Sequence, residues 1–327
     1  MERPRRNRRN EALRSIMRES HLAPHHLVYP VFVQEGLKKK DAIRSMPGQF
    51  RLSLDELLPL CEEAVRLEVA GVALFPVVPE AKKNPLGHES YNPQGLIPHV
   101  VKELKARFPE LLVITDVALD PYSSDGHDGI VKNGEILNDE TVEVLVKQAL
   151  AQARAGADLV APSDMMDGRI GAIRRALDEE GFTNTGILSY CAKYASKFYG
   201  PFREALDSAP KHGDKKTYQM DPANRREALR EARLDMEEGA DFLMVKPALA
   251  YLDVIRDLRE FSDVPIAAYQ VSGEYAMVKA AAAQDWIDGD AVMLECLTSI
   301  RRAGADMILT YAALEAARLL RGRPSGS

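Results

Sequence analysis

The sequence predicts an α/β fold, a (β/α)₈ TIM barrel with an N-terminal arm. Its 327 residues suffice for one such barrel. Eight short apolar segments alternate with helical segments, which is the order found in barrels of parallel strands. A Gly-Ala-Asp motif precedes three of the predicted strands, starting at Gly156, Gly239 and Gly304. Glycine there supplies the left-handed backbone conformation that turns the chain back toward a sheet. We therefore assign residues 26–327 to the barrel and residues 1–25 to an arm for subunit contacts.

The predicted strands are short, nearly continuous apolar runs. Such runs are typical of parallel strands that are buried on both faces. A doubly wound open sheet is the alternative, but it would need a glycine-rich dinucleotide-binding loop after its first strand, and Val33-Gln34-Glu35-Gly36 offers none. The eight strands are predicted at residues 29–33, 72–77, 111–117, 159–162, 186–190, 242–245, 266–270 and 307–311.

Helix boundaries are predicted from capping residues. Ser53 and Glu56 form a capping-box pattern before an apolar helical repeat. Asn138 opens a helix that Gly156 ends, since glycine is common just past the last helical turn. Pro222 predicts the start of a further helix, because proline is favoured in the first turn.

Composition argues against several classes of function. A net charge of −6 and a pI near 5.8 disfavour a nucleic-acid partner. No apolar run reaches the roughly 20 residues that span a bilayer, and no apolar signal segment follows the N-terminus. The arginine-rich first ten residues are therefore expected to pack on another copy of the protein. Because Cys61, Cys191 and Cys296 have no CxxC spacing, we expect free thiols in a cytoplasmic protein.

One predicted strand ends in a lysine. The apolar run 242–245 predicts a buried strand whose carboxyl end carries Lys246, and the active sites of TIM barrels lie at that end. Burial disfavours the ammonium form, so the pKa of Lys246 should fall and its amine should become a nucleophile for carbonyl substrates. The alternative is a lysine that extends from the strand end into solvent.

Other strands deliver polar groups to the same end of the barrel. Lys193 follows the fifth strand, and a second positive charge nearby would lower the lysine pKa further. Taken singly, Lys193 could be a surface residue and the carboxylates could cap turns. Their coincidence at one face favours an active site. The further candidates at this face are Asp116, Asp120, Asp128, Ser163, Ser272 and Tyr311.

The substrate is predicted to be a carboxylate. Phosphate-binding barrels use the loops after the seventh and eighth strands, but here those loops offer one glycine next to Glu274. The hydroxyls of Ser272 and Tyr311 suit a carboxylate better. Residues 199–219, called the lid below, form a long irregular segment with cations for a second acidic group; a solvated charged loop is the alternative. The lid candidates are Arg203, Lys211, Lys215, Lys216 and Gln219.

A Schiff-base aldolase of the same barrel class is the main competing interpretation. It would need one lysine and normally a phosphate site, so Lys193 beside Lys246 argues against it. A catalytically dead scaffold is the third possibility. It would have lost groups at the barrel mouth, yet both lysines, Arg203, Ser272 and Tyr311 are present.

Several motifs in the chain resemble those of the porphobilinogen synthase family, also called δ-aminolevulinic acid dehydratases. The similarity runs from about Arg5 to Leu320. It implies a lyase of tetrapyrrole biosynthesis, which leads to heme and chlorophyll, that condenses two molecules of 5-aminolevulinate to porphobilinogen with loss of two waters. The motifs are Ala161 to Arg169, Ser189 to Tyr194, Phe198 to Arg203, Met244 to Pro247 and Tyr269 to Tyr275.

The resemblance also implies roles for individual residues. Lys246 would form a Schiff base with the substrate that becomes the propionate side, and Lys193 with the acetate-side substrate. Each Schiff base is an electron sink that acidifies the adjacent carbon. The implied carboxylate binders are Ser272 and Tyr311 for the first substrate and Arg203, Lys215 and Gln219 for the second; the supporting positions are Asp116, Asp120, Asp128, Ser163, Tyr199, Phe202 and Tyr269.

The third-strand loop departs from the zinc-dependent branch of the family. Ala118, Asp120 and Asp128 stand where that branch has three cysteines, and oxygen donors without thiolates argue against zinc. The loop resembles an aspartate-rich, non-zinc bacterial branch, whose members hold an activating Mg²⁺ largely through water. The counterpart of their glutamate is Glu231, for which an exposed helix residue is the alternative. The resemblance further implies a homo-octamer embraced by the arms, and no organic cofactor.

Overall fold

The computed structural model, which describes residues 1–206 and 210–322, is a closed barrel of eight parallel strands. The strands pair in chain order, and the first also pairs with the last, with Leu27 opposite Ile308. The TIM-barrel prediction is therefore confirmed. The barrel strands are β1 (Leu27–Gln34), β2 (Gly71–Val77), β3 (Leu112–Val117), β4 (Leu159–Pro162), β5 (Gly186–Lys193), β6 (Phe242–Lys246), β7 (Ile266–Gln270) and β8 (Met307–Thr310).

Helices pack around the outside of the barrel. The helix predicted from Asn138 ends at Ala155, where Gly156 turns the chain with a φ of 103°. No helix in the described ranges has the length and apolarity to cross a bilayer. The described α-helices are Glu11–Met17, Leu54–Arg66, Leu96–Arg107, Asn138–Ala155, Arg169–Glu179, Gly200–Leu206, Arg226–Glu237, Leu252–Phe261, Ser272–Ala282, Gly289–Ala303 and Ala313–Gly322.

The capping box predicted at Ser53 is wrong. The helix starts there as expected, but the Ser53 side chain makes no capping hydrogen bond. Its Oγ instead accepts a hydrogen bond from the backbone N–H of Lys39 at 2.9 Å and donates to the Asp55 carboxylate at 2.6 Å. Ser53 therefore fastens the preceding hairpin to the helix start, a contact with a distant segment that the local pattern does not contain.

The helix predicted to start at Pro222 begins later, at Arg226. The carboxylate of Asp221 accepts a hydrogen bond from the backbone N–H of Ala223 at 2.8 Å, and its carbonyl accepts one from Asn224 at 2.9 Å. Aspartate side chains often hold the backbone two residues on in this way. The proline therefore lies in a turn that precedes the helix.

Strand β5 extends to Lys193, beyond the predicted residues 186–190. Its pairing with β6 contains a β-bulge: Leu243 lies opposite Ser189 and Lys246 opposite Lys193, so β5 uses one residue more than β6 over this stretch. A bulge re-aims the side chains that follow it. Here it brings the two lysines to paired positions at the carboxyl end of the barrel.

Two short hairpins were not predicted. Lys40–Ala42 pairs with Phe50–Leu52, which extends the sheet beside β1, and Ile130–Lys132 pairs with Glu135–Leu137 after β3. Each of their strands has only three residues. Such strands are too short for an alternating apolar pattern to reveal them.

The N-terminal residues lie outside the barrel. A 3₁₀ helix, Pro4–Arg8, and the helix Glu11–Met17 contain no buried residue, and Ile16 is 80% exposed. Of the predicted ranges, residues 207–209 of the lid and residues 323–327 of the barrel lie outside the described residues.

Candidate active site

Lys246, at the end of β6, lies among aromatic rings. The residue is 5% exposed. Its Nζ is 4.5 Å from the ring centre of Tyr269, 4.9 Å from Phe202, 5.2 Å from Tyr190 and 5.4 Å from Tyr199. Ring faces attract an ammonium by about 0.5 to 2 kcal/mol, which is small beside the cost of removing that charge from water. The pocket therefore favours a neutral amine.

Burial lowers the pKa of Lys246 to about 7. The positive charge of Lys193 lowers it as well, while Asp116, Asp120 and Asp128 oppose the change. A lysine with a pKa near 7 has a substantial neutral fraction at neutral pH, and the neutral amine is the nucleophile in Schiff-base formation. The sequence predicted a lowered pKa for Lys246, and the pocket lowers it.

Lys193 is held in an ion-paired cluster centred on Asp128. Its Nζ lies 3.0 Å from Asp128 Oδ2 and donates to the carbonyl of Ser163. The other Asp128 oxygen accepts from Lys215 Nζ at 2.5 Å, and that nitrogen is 3.5 Å from Asp120. Although burial favours the neutral acid, the two lysines hold the pKa of Asp128 well below its usual value. The Asp128 carboxylate therefore holds the amines of both Lys193 and Lys215.

Asp116, on β3, is a buried carboxyl group beside this cluster. Burial, followed by the charge of Asp120, raises the pKa of Asp116 to about 7. Its Oδ1 has no hydrogen-bond partner among the residues that the structure describes. A group with this pKa exchanges protons readily at neutral pH. Asp116 is thus the carboxyl group best suited to proton transfer near the two lysines.

The hydroxyl groups predicted to bind a carboxylate already have protein partners. Ser272 Oγ accepts a hydrogen bond from the backbone N–H of Phe202 at 3.0 Å and donates to the carbonyl of Phe198 at 3.3 Å. The hydroxyls of Tyr311 and Tyr269 bond to each other at 2.8 Å. Both predicted binders are buried at the mouth, but a substrate carboxylate would have to share or replace these bonds.

Three of the lid candidates, Arg203, Lys215 and Gln219, line a small cavity beside the lysines, whereas Lys211 and Lys216 are exposed and pair with Glu80 and Asp214. Arg203 is half-buried there, and the buried side-chain oxygen of Gln219 has no hydrogen-bond partner within the described ranges. The cavity measures about 30 Å³, room for about one water, so the lid must shift before an organic substrate can bind. The cavity is lined by Asp120, Lys193, Tyr199, Phe202, Arg203, Lys215, Gln219 and Lys246.

Comparison with known proteins assigns the family. The family model described as delta-aminolevulinic acid dehydratase matches residues 1–319. The chain belongs to this family. It is 60% identical over 324 residues to the chloroplastic dehydratase of Glycine max, covering 98% of this chain and 78% of that protein. It is 59% identical to the first chloroplastic dehydratase of Arabidopsis thaliana, covering 98% and 75%.

A solved structure supports the same fold and activity. The delta-aminolevulinic acid dehydratase (porphobilinogen synthase) of Toxoplasma gondii ME49, in complex with the reaction product porphobilinogen, superimposes with a TM-score of 0.96 at 55% identity, covering 98% of this chain and 91% of that one. The predicted function, condensation of two 5-aminolevulinate molecules to porphobilinogen in tetrapyrrole biosynthesis, is confirmed. The aldolase and scaffold interpretations are set aside.

The predicted cytoplasmic location is contradicted by the dehydratase relatives. Those from Glycine max, Arabidopsis thaliana, Pisum sativum and Physcomitrium patens are chloroplastic by name. The prediction relied on cysteine spacing and on the lack of an apolar signal segment. Neither observation distinguishes the cytoplasm from another reducing compartment.

Two residues of the dehydratase site were missed from the sequence. The ring of Tyr190 lies 5.2 Å from Lys246 Nζ and 6.0 Å from Lys193 Nζ; its place at the predicted end of β5 could have indicated this. Arg51 donates to the carbonyls of Glu204 and Ala205 at the end of the lid helix, at 2.5 and 2.7 Å. No local signal connects Arg51 with a segment about 150 residues later.

Glu231 lies apart from the lysines, on the helix Arg226–Glu237. It lines a cavity of about 650 Å³ with Asp167 and Glu227. Burial, followed by the negative charge of Asp235, raises the pKa of Glu231, so a cation here would relieve repulsion. Over the described ranges, no group of three or more His, Cys, Asp or Glu side chains is placed to hold a metal.

Proposed function

We propose that the dehydratase reaction of this chain proceeds through two lysine Schiff bases. Lys246 would bind the 5-aminolevulinate that becomes the propionate side, and Lys193 the acetate-side molecule. The observation that carries the proposal is the pairing of these two buried lysines on neighbouring strands at the barrel mouth. Lys246 is prepared to react because burial lowers the pKa of its amine.

The water balance of the reaction agrees with two Schiff bases. Each amine attacks one ketone and expels one water, which accounts for the two waters lost. Each resulting iminium withdraws electrons from the neighbouring carbon, so that a proton can leave it and a carbon–carbon bond can form. The carbon–carbon and carbon–nitrogen bonds then displace the two lysine amines. Asp116, with its pKa near 7, is placed to accept or return a proton.

The substrate carboxylates are assigned to two groups of residues. For the first substrate we propose Ser272 and Tyr311, which are buried on the same side of the mouth as Tyr269 and its contact with Lys246. For the second we propose Arg203, Lys215 and Gln219, which line the cavity. Even when the Lys246 amine is neutral, two lysines and one arginine in this lining exceed its one aspartate in charge, so the cavity favours an anion.

Reduction of the enzyme–substrate complex tests the Schiff bases. Protein incubated with 5-aminolevulinate and then borohydride should carry reduced substrate on Lys246, and on Lys193 at higher substrate concentration, as mapped by peptide mass spectrometry. The matched control is the same treatment without substrate. Label scattered over exposed lysines such as Lys38, or no label, would contradict the mechanism.

We also propose that the enzyme is an aspartate-rich, zinc-independent member of the family. The donors at Ala118, Asp120 and Asp128 do not fit zinc, because they include no thiolate and both carboxylates are paired with lysines. The chloroplastic relatives named above are plant proteins and lend no support to the bacterial part of the sequence-based prediction. No step of the reaction is assigned to a metal at this loop.

Mg²⁺ is proposed as an activating ion at Glu231. When bound, it would supply a positive charge among Glu231, Asp167 and Glu227, held mainly through water. Protein stripped with a chelator should regain activity with Mg²⁺ and not with Zn²⁺. In Glu231→Gln the Mg²⁺ response should be lost, whereas Glu237→Gln, an exposed change on the same helix, should leave it intact. Full activity after stripping, or an unchanged response in Glu231→Gln, would refute the assignment.

A homo-octamer embraced by the arms is proposed as the assembly, with residues 1–25 as the arm. Its support is the exposed apolar surface of Ile16 and Met17 beside the arginine-rich segment, which a neighbouring subunit would cover. Sedimentation should give the mass of eight chains and a smaller species after removal of residues 1–25. An unchanged mass after that truncation would exclude this role for the arm.

A further inference from the structure

We infer that His127 is a positioning residue that fastens the lid to the loop after β3 and thereby sets Asp128 between Lys193 and Lys215. His127 is 6% exposed and belongs to neither the lysine pair nor the carboxylate binders. The inference deepens the proposed function, on which it rests. It concerns how the Lys193 amine and its neighbour Lys215 are held in place.

Both ring nitrogens of His127 are used in bonds to the lid. One, Nε2, lies 2.9 Å from the carbonyl oxygen of His212, and Nδ1 lies 3.1 Å from the hydroxyl of Tyr218. A carbonyl only accepts, so Nε2 carries a proton, and in the Nε2–H tautomer Nδ1 accepts from the Tyr218 hydroxyl. This arrangement uses both ring nitrogens. It leaves neither nitrogen to exchange protons with a substrate, which separates His127 from the reacting groups.

The two bonds enclose the lid lysine in sequence. His212 precedes Lys215 by three residues and Tyr218 follows it by three, and both are bound by the same imidazole. The backbone N–H of Gln219, the residue after Tyr218, donates to the carbonyl of Lys215 at 2.8 Å, which forms a tight turn. His127 therefore holds the turn that presents Lys215 and Gln219 to the cavity.

The same contacts reach Asp128 through the backbone. The hydroxyl of Tyr218 accepts a hydrogen bond from the Asp128 N–H at 3.3 Å while it donates to His127. The Asp128 carboxylate binds Lys193 and Lys215. The imidazole and the phenol thus form one unit that ties the position of Asp128 to closure of the lid. A displacement of about 1 Å in such a site can lower a rate by about 100-fold.

The test measures how much 5-aminolevulinate is trapped on Lys246 and on Lys193 by borohydride reduction. It compares His127→Ala, Tyr218→Phe and the double variant with the unaltered protein. Trapping of 5-aminolevulinate on Lys246 should stay within about twofold, because Lys246 makes no contact with this unit. Trapping on Lys193 and porphobilinogen formation should both fall by about 10- to 100-fold, with a raised KM for the second substrate. Since both changes break the same bond, the double variant should lose little more than the stronger single variant.

Two further variants separate positioning from a loss of fold. His127→Asn keeps an acceptor for the Tyr218 hydroxyl and should recover part of the lost rate, whereas His127→Phe fills the space without either bond and should not. The exposed His99 gives the control His99→Ala, which should match the unaltered protein. Hydrogen exchange of residues 210–219 should become faster in His127→Ala and Tyr218→Phe only.

Three results would overturn the inference. They are additive losses in the double variant, equal loss of trapping at both lysines, and unchanged exchange of residues 210–219. If the unaltered protein is not trapped at either lysine, the proposed Schiff-base mechanism fails instead. Trapping at both lysines in the unaltered protein with no effect of His127→Ala would refute the positioning role alone.

Discussion

Replacing Lys246 with methionine should lower kcat for porphobilinogen formation by about 10⁴-fold or more, the range found when an enzyme loses its nucleophile. Methionine keeps an unbranched side chain of similar length among the surrounding rings and removes the amine. Because a buried amine that still carries a partial charge near pH 7 is replaced by an apolar group, the free energy of unfolding should be unchanged or higher. Steady-state assay together with chemical denaturation checks both halves of this expectation. An active variant, or one that is inactive because it is unfolded, would contradict it.

The pH dependence of borohydride trapping tests the pKa of the Lys246 amine. Only the neutral form attacks a ketone, so the rate of trapping at Lys246 should rise with pH through about 7 and then level off. The positive charge of Lys193 contributes to lowering this pKa, so Lys193→Met should move the midpoint to higher pH. A rate that keeps rising toward pH 10 in the unaltered protein would show that the amine is not prepared by burial.

Replacing Asp128 with asparagine should reduce both stability and activity. The change removes the buried carboxylate that lies 3.0 Å from Lys193 Nζ and 2.5 Å from Lys215 Nζ, and leaves two buried ammonium groups without it. Loss of one partner from a buried ion pair costs about 3 to 5 kcal/mol. We expect the free energy of unfolding to fall by about that amount, and product formation by about 100-fold as both lysines shift.

The stability effect of Asp128→Asn should depend on pH in a defined direction. Because the folded-state pKa of Asp128 is lowered, its contribution to stability is fully present above its unfolded pKa of about 3.9 and is lost as pH falls through the folded value. The difference between the variant and the unaltered protein should thus be constant from pH 6 to 8 and shrink in acid. Asp125→Asn, a half-buried change in the same loop, is the control. A destabilisation below about 1 kcal/mol, the scale of an exposed pair, would contradict the coupling.

The barrel could be predicted because its signals are local. Each barrel strand is an apolar run bounded by glycine, proline or charged residues, and seven of the eight begin within one residue of their predicted start. The capping box at Ser53 failed because its side chain bonds to the backbone of Lys39 in a distant segment, and the helix start at Pro222 failed because Asp221 holds the backbone of Ala223 in a turn. The short hairpins have no periodicity to detect.

The positions of the candidate site residues could be predicted only in part for the same reason. Lys246, Lys193, Ser272 and Tyr311 follow from the rule that barrel sites lie at the carboxyl ends of strands. The role of Asp128 as the shared partner of Lys193 and Lys215 could not, because it joins three segments that are distant in sequence. Their encounter depends on how the lid packs over the β3 loop, which strand and helix patterns leave undetermined.

Because of the bulge in β5, the orientation of Lys193 depends on the number of residues in this strand. Side chains alternate between the two faces of a strand, so losing one residue there would turn Lys193 away from Lys246. Substitution of Cys191 by another small residue leaves the count intact, whereas its deletion does not. Between Ser189 and Lys193, then, natural variants of this enzyme should differ in residue type but not by insertions or deletions.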